Sequence, residues 1–453
     1  MTWVGSSATE IAAAVRTGKA SAVDVVREHL DLIEDVDRVL GAFVRVRRER
    51  ALEEAAEVDR RGDRGELPLA GVPVAIKDNV PVAGEPMRSG SAATPETPRP
   101  YDHAVVERLR AAGVVVVGLT NLPEMGIYPF TDNVFGVSRN PWDPGRTAGG
   151  SSGGAAAAVA SGMVPIAHGN DGAGSIRIPA ADCGVFGIKP GSGVVPSGIG
   201  ADSWDGLSEN GPLATTVADA ALALAVMAGD EGLGEVREPE PARIALSIKA
   251  PAAGVVIRDD LKAAVREAGK AFVGLGHNVV RDDPDYPLWA ATALISRWLI
   301  GPEADLDGLL DDPRLEARTR THVRAGRVIG RFRPPREDDR ERFRAAVAPL
   351  FERRDVLVMP TLAQRAPKAK AWGAGGWLPS VVASTRYAPM TAAWNLAGFP
   401  AASVPMGIGG SGLPLSVQLV AAPGREALLL GLAAQLEARR PWPRLAPGYA
   451  TGA

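Results

Sequence analysis

Residues 147–180, TAGGSSGG…HGNDGAGSIRIPA, hold two glycine-flanked serine sites, Ser151/Ser152 and Ser175, and one acid–base pair, Asp171 and Arg177. Glycine lets a backbone approach a ligand closely and enter the left-handed region at little cost. A serine in such a loop is a candidate nucleophile among free N–H donors, provided that something takes its proton. Lys77, in GVPVAIKDN at 71–79, is the candidate base. It ends a run of apolar residues, so its side chain enters a partly desolvated interior where the ammonium form is disfavoured. A lysine at a strand end is, taken alone, a surface residue, and only its company argues otherwise. Asp78 points to the opposite face if the strand continues.

Other chemistries fit less well. The histidines are His29, His103, His168, His277 and His322. None stands in an acid–histidine–serine order, and His168, at a strand end, reads as structural. The elbow pattern GxSxG fails at Ser175, which Ile176 and Arg177 follow. Residues 407–412, GIGGSG, match GxGxxG formally, but Pro414 and a strand follow instead of a helix, so they read as a turn. GGSSGG lacks the GxxxxGK[ST] frame of a phosphate loop. The lone Cys183 excludes an internal disulfide or a cysteine-based zinc site and reads as a small buried residue. Neither cofactor nor metal is expected.

A net charge of −3 offers no basic face for nucleic acid. No basic segment precedes a long apolar run at the N-terminus. Residues 147–170 carry no charged side chain, yet they are too rich in Gly and Ser, and too interrupted by Pro165 and His168, to span a membrane. The expectation is a cytoplasmic protein with a small-molecule partner, no nucleic acid and no membrane, a homodimer being left open.

The elements that must position these residues alternate between helix and strand. Ser21 and Asp24 fit a capping box ahead of the periodic Val25, Val26, Leu30 and Ile33, and a second helical pattern covers 49–61. Residues 1–65 therefore read as a helical layer on a core of 66–453. Strands are expected at 72–76, 114–117, 164–167, 244–248, 356–359, 402–404 and 416–420. Helices are expected at 104–112, 155–160, 216–228, 261–275, 392–396 and 426–437. This alternation predicts an α/β fold with a largely buried central sheet. The charge-rich stretch 306–344 reads as a solvated helical insertion, inside a variable region of about 230–350.

Taken together, residues 71–79, GGSSGG at 149–154 and DGAGSIR at 171–177 resemble the amidase signature family. Lys77 and Ser151 are 74 positions apart, and Ser151 and Ser175 are 24 apart, in keeping with that family. The resemblance extends through Gly211-Pro212-Leu213 with Asp219, then WNLAGFP at 394–400, and Gly412-Leu413-Pro414 with Gln418. It implies a mixed sheet covered by helices on both faces, and amide hydrolysis through an acyl-enzyme on Ser175. It also implies that Ser151 follows a cis peptide and relays the proton to a neutral Lys77. Backbone N–H groups of Gly172, Ala173, Gly174 and Ser175 would form the oxyanion hole, with Ser152, Asp171 and Arg177 in support. Asp171 and Arg177 are read as a structural brace. Two departures stand out: Ala173 occupies a place held by Gly in most relatives, and Ala148 one often held by Pro. The alternative is the glutaminase-type subunit of a tRNA-dependent amidotransferase acting with a partner; that group has Ile-Arg-Gln where this chain has Ile176-Arg177-Ile178. Neither an N-terminal membrane helix nor an extra C-terminal domain is evident. Candidate pocket walls are Met125, Tyr128, Phe130, Trp204, Trp372, Trp377 and Trp394, each equally able to pack in a core.

Overall fold

The computed structural model describes residues 2–252 and 254–449. Its centre is one mixed sheet of eleven strands. In chain order these are β1 (Phe43–Val46), β2 (Pro73–Lys77), β3 (Val115–Thr120), β4 (Ile166–Asp171), β5 (Phe186–Lys189) and β6 (Glu209–Ala214). They continue with β7 (Arg243–Leu246), β8 (Asn278–Arg281), β9 (Val356–Pro360), β10 (Ala401–Ile408) and β11 (Pro414–Ala421). Across the sheet the order is β1-β3-β2-β4-β6-β5-β10-β11-β9-β7-β8. β2 lies parallel to both neighbours, with Val74 opposite Val116 of β3 and Ile166 of β4. All five of its residues are buried. A strand covered on both faces reads as a continuous apolar run, which is why 72–76 was legible. Residues 407–412 form the end of β10 and most of the hairpin turn into β11, in keeping with the turn the sequence suggested.

Helices α1 (Ala8–Arg16), α2 (Ala22–Leu40), α3 (Arg48–Arg60) and α4 (Ala104–Ala111) precede the serine sites. The Ser21 hydroxyl accepts the Asp24 N–H and starts α2, whereas α1 begins with a full reciprocal box of Ser7 and Glu10. The helical reading of residues 1–65 did not include β1, which pairs antiparallel with β3 at the sheet edge.

Two short helices then carry the serine sites. α5 (Gly153–Ala160) follows Ser151/Ser152, and α6 (Arg177–Cys183) follows Ser175. Every residue of α5, GGAAAAVA, is buried. A helix that is apolar all round belongs in the interior, and small side chains let it pack against both α6 and the sheet. The remaining helices are α7 (Val217–Ala228), α8 (Asp259–Gly274), α9 (Leu288–Ile300), α10 (Ala317–Phe332), α11 (Asp339–Arg353), α12 (Trp377–Tyr387), α13 (Ala392–Ala397) and α14 (Glu426–Arg439).

The stretch 306–344 is largely helical and exposed along much of its length, as the charge pattern suggested, but one face of it is buried. Arg318 and His322 of α10 are fully buried, and α10 packs on α9 beside the site. Among the described residues no helix is long and apolar enough to cross a membrane.

Candidate active site

Lys77, at the end of β2, is completely buried. Its Nζ lies 2.7 Å from Ser151 Oγ, 2.7 Å from Asn170 Oδ1 and 3.4 Å from the Asn170 carbonyl oxygen. A neutral amine has two N–H donors and one lone pair. In that form the two oxygens of Asn170 can accept both N–H groups and the lone pair can face the Ser151 hydroxyl. Burial drives the lysine down to about 7, and the charge of Asp171 opposes that only in part. Asn170 is itself held by Asn79, to which its amide donates at 2.7 Å.

Ser151 follows a cis peptide bond from Gly150. Gly150 is required there, because a Cβ would sit within 2.9 Å of the backbone at Tyr128, Pro129 and Phe130. Ser152 joins the two serine segments: its N–H donates to the Ser175 carbonyl at 3.1 Å and its hydroxyl to the Asn170 carbonyl at 3.3 Å. The half-buried Ser175 lines the main cavity, and its hydroxyl has no hydrogen-bond partner among the described residues.

The loop bearing Ser175 is shaped by a buried brace. Arg177 and Asp171 are both wholly inaccessible, and the guanidinium meets the carboxylate through Nε at 2.9 Å and Nη2 at 2.8 Å. Arg177 also donates to the Thr391 carbonyl (3.0 Å), Gln418 Oε1 (2.6 Å) and Asn395 Oδ1 (2.5 Å). Asn395 Nδ2 donates to Asp171 Oδ1 at 2.9 Å. Burial alone would raise the Asp171 carboxyl, but Arg177 and these donors hold it well below the usual carboxylate range. Asn395 and Gln418 belong to motifs quoted from the sequence, where they had no assigned part. Their part is to close this brace. Asn170 was missed altogether, although it directly precedes Asp171.

The same carboxylate changes the expected donor set. Asp171 Oδ1 accepts the Gly174 N–H at 2.5 Å, so Gly174 is spoken for. Gly172, Ala173 and Ser175 line the cavity and supply the loop's remaining N–H groups. Gly174 instead has φ +127° and no room for a Cβ against Thr391, whose hydroxyl pins the Ala173 carbonyl at 2.6 Å. His168 is structural in geometry: one ring nitrogen accepts the Lys77 N–H at 3.4 Å and the other meets Asn210 at 2.9 Å. Cys183 is buried, its thiol directed at the Ala148 carbonyl.

Ser175 opens onto a cavity of about 740 Å³. Of the aromatic and methionine residues singled out from sequence, Tyr128 and Trp204 line it, and Met125, Phe130, Trp372, Trp377 and Trp394 do not. Phe130 stacks between Tyr128 and Trp372, with centroids 5.7 and 4.7 Å away. Trp394 is buried against Met359 and Phe399, and Trp377 donates to His322 at 3.3 Å. Met125 is tucked into a turn with φ +54°. The walls that sequence reasoning missed are Leu294, Ile295 and Trp298 of α9 and the 254–256 loop. Helical periodicity marks an apolar face, and nothing in it distinguishes a face on a cavity from one in a core. Among the described residues no cluster of three or more His, Cys, Asp or Glu is arranged to hold a metal ion.

Comparison with known proteins agrees with this geometry. The family model described as Amidase matches residues 24–430. A relative in Mycobacterium tuberculosis that carries an amidase name, AmiB2, is 43% identical, with 95% of each chain covered. An acylamidase of Rhodococcus erythropolis is 35% identical, with 96% of each covered. Among solved structures, a 6-aminohexanoate cyclic dimer hydrolase in complex with substrate superimposes with a TM-score of 0.88 at 29% identity, over 98% of this chain and 99% of that one. A bacterial aryl acylamidase of the amidase signature family gives 0.84 at 28% identity, over 96% of both. The chain belongs to the amidase family and is an amidohydrolase.

Proposed function

We propose that the protein hydrolyses a small carboxamide with a largely apolar body through an acyl-enzyme on Ser175. The observation that carries this reading is the buried Lys77 amine, 2.7 Å from Ser151 and free of any direct carboxylate partner among the described residues. Ser175 Oγ attacks the amide carbonyl while its proton passes to Ser151 and the proton of Ser151 passes to Lys77. The N–H groups of Gly172, Ala173 and Ser175 are the donors offered to the oxyanion, each worth about 3–4 kcal/mol when preorganised. As the C–N bond breaks, the Lys77 ammonium returns its proton through Ser151 to the departing amine. Water then attacks the ester on Ser175, its proton taken by the same relay, and the acid leaves. The Ser175–Ser151 contact closes when substrate fills the cavity, since catalytic hydrogen bonds tighten in the Michaelis complex.

The apolar cavity walls support aryl or alkyl amides over glutamine, and the names of the acylamidase relatives point the same way. The test is product release by the isolated chain over a panel of simple aryl and alkyl amides with glutamine included, with fluorophosphonate labelling alongside. One label on the Ser175 peptide and turnover without a partner are expected, both lost in Ser175→Ala. Turnover of glutamine alone, and only with a second subunit, would transfer the chain to the amidotransferase reading.

A further inference from the structure

Twenty-five of the described residues line the cavity, and Arg386 is the only charged one among them. It is exposed and makes no ion pair or side-chain hydrogen bond with another described residue, whereas most arginines near the site are committed. Arg297 is bound by Asp205 and Asp339, Arg318 by Asp132 and Glu316, and Arg177 by Asp171. Among the described residues no Asp or Glu lines the cavity to offset the Arg386 charge.

Its mounting is firm. Arg386 occupies the last turn of α12. The next residue, Tyr387, is buried, donates its hydroxyl to Asp182 of α6, and accepts the Ala363 N–H on its carbonyl at 3.0 Å. Five residues after Arg386 comes Thr391, whose hydroxyl pins the Ala173 carbonyl. Five residues reach at most about 18 Å between Cα atoms, and Arg386 and Ser175 line the same cavity. Much of the wall of that cavity is apolar, with Ile178, Trp204, Leu207, Leu294 and Trp298 among its residues.

From this arrangement we infer that Arg386 is a specificity-determining residue that selects amides bearing a terminal anionic group, such as a carboxylate, at the far end of an apolar spacer. The inference rests on the amide-hydrolase reading above. A guanidinium binds a carboxylate through two parallel N–H donors, and a cavity with one unbalanced cation disfavours an ammonium at the same place. A basic residue in the last turn of a helix also complements the helix dipole, but that role would act alike on every substrate.

The experiment compares 4-nitroanilides of equal length that end in a methyl, a carboxylate or an ammonium group, placed on the acyl side, together with alkyl amides carrying the same groups on the amine side. Hydrolysis of the neutral member tests the amidase reading, and the ratio among the three tests the inference. For wild type, kcat/KM is expected to favour the carboxylate over the neutral compound by about tenfold on one of the two sides, with the ammonium lowest. The preference should shrink with added salt, because the site is partly exposed. Arg386→Gln should level the series, Arg386→Lys should retain part of the preference, and Arg386→Glu should favour the ammonium. Absence of a carboxylate preference on both sides, or its persistence in Arg386→Gln, overturns the inference while leaving neutral-amide hydrolysis as its own result.

Discussion

Lys77 makes a quantitative prediction about pH. Burial brings its amine down to about 7 from an ordinary 10.5. If the neutral amine is the base, kcat/KM should fall about tenfold per unit below pH 7 and level off above about pH 8. An unperturbed lysine would leave on the order of 10⁻³ of the enzyme active at pH 7, with the rate still climbing at pH 9. The assay is initial-rate hydrolysis of a neutral anilide from pH 5 to 10, with circular dichroism to verify the fold at each point. Asp78 and Glu316 are also pushed by burial to about 7, but neither touches Ser151, so Asp78→Asn should leave the acid limb in place.

The same shift fixes a sign for stability. Between pH 7 and about 10.4 the unfolded chain carries a protonated lysine and the folded chain does not, so this residue makes stability rise with pH across that window. At pH 7 it costs the fold on the order of 4 kcal/mol. Lys77→Met removes that cost and gives up the bonds to Ser151 and Asn170, although Asn170 Oδ1 keeps the Asn79 amide at 3.2 Å. The variant should therefore be inactive, yet at least as stable as wild type at pH 7. A rate that climbs tenfold per unit between pH 8 and 10, or a Lys77→Met protein with wild-type turnover, refutes the reasoning.

Two further outcomes follow from the loop. Arg177→Met leaves the Asp171 carboxylate buried and uncompensated, which should cost about 3–5 kcal/mol in denaturant unfolding and abolish turnover. Since Ala173 contributes a backbone N–H and a methyl at the cavity, Ala173→Gly should change kcat/KM by less than about tenfold, roughly 1.4 kcal/mol; a thousandfold change would mean that the methyl shapes the donors themselves.

The chemistry was more legible in the sequence than the shape around it. Lys77, Ser151 and Ser175 stand in short motifs whose composition has few other uses, and the strand at 72–76 and the helix at 104–112 announce themselves by pattern. β6 does not: its residues are ENGPLA, with Asn210, Gly211 and Pro212 all unfavourable to a strand, and all six are buried by their neighbours. β1 was invisible for the opposite reason, being four residues at an edge with two of them exposed. Trp394 lies inside a quoted motif and faces the core, while Trp298 lies far from any motif and faces the cavity. Proximity in the chain is a poor guide to which side of a packed layer a ring takes.

The order of strands across the sheet bears on how the protein is made. β10 and β11, the last of the sheet's strands in chain order, occupy the seventh and eighth places among eleven. Until they emerge, the strands before residue 215 can form a six-stranded half ending in β5, whose free edge offers unpaired backbone groups to any passing chain. The brace is completed as late, for Arg177 reaches across 241 positions to Gln418. A nascent chain halted before residue 418 holds Lys77, Ser151 and Ser175 and still lacks one of the bonds of the brace that shapes their loop. The finished site thus depends on a strand that follows Arg177 by 241 positions, so its loop is set only when that distant strand has joined the sheet.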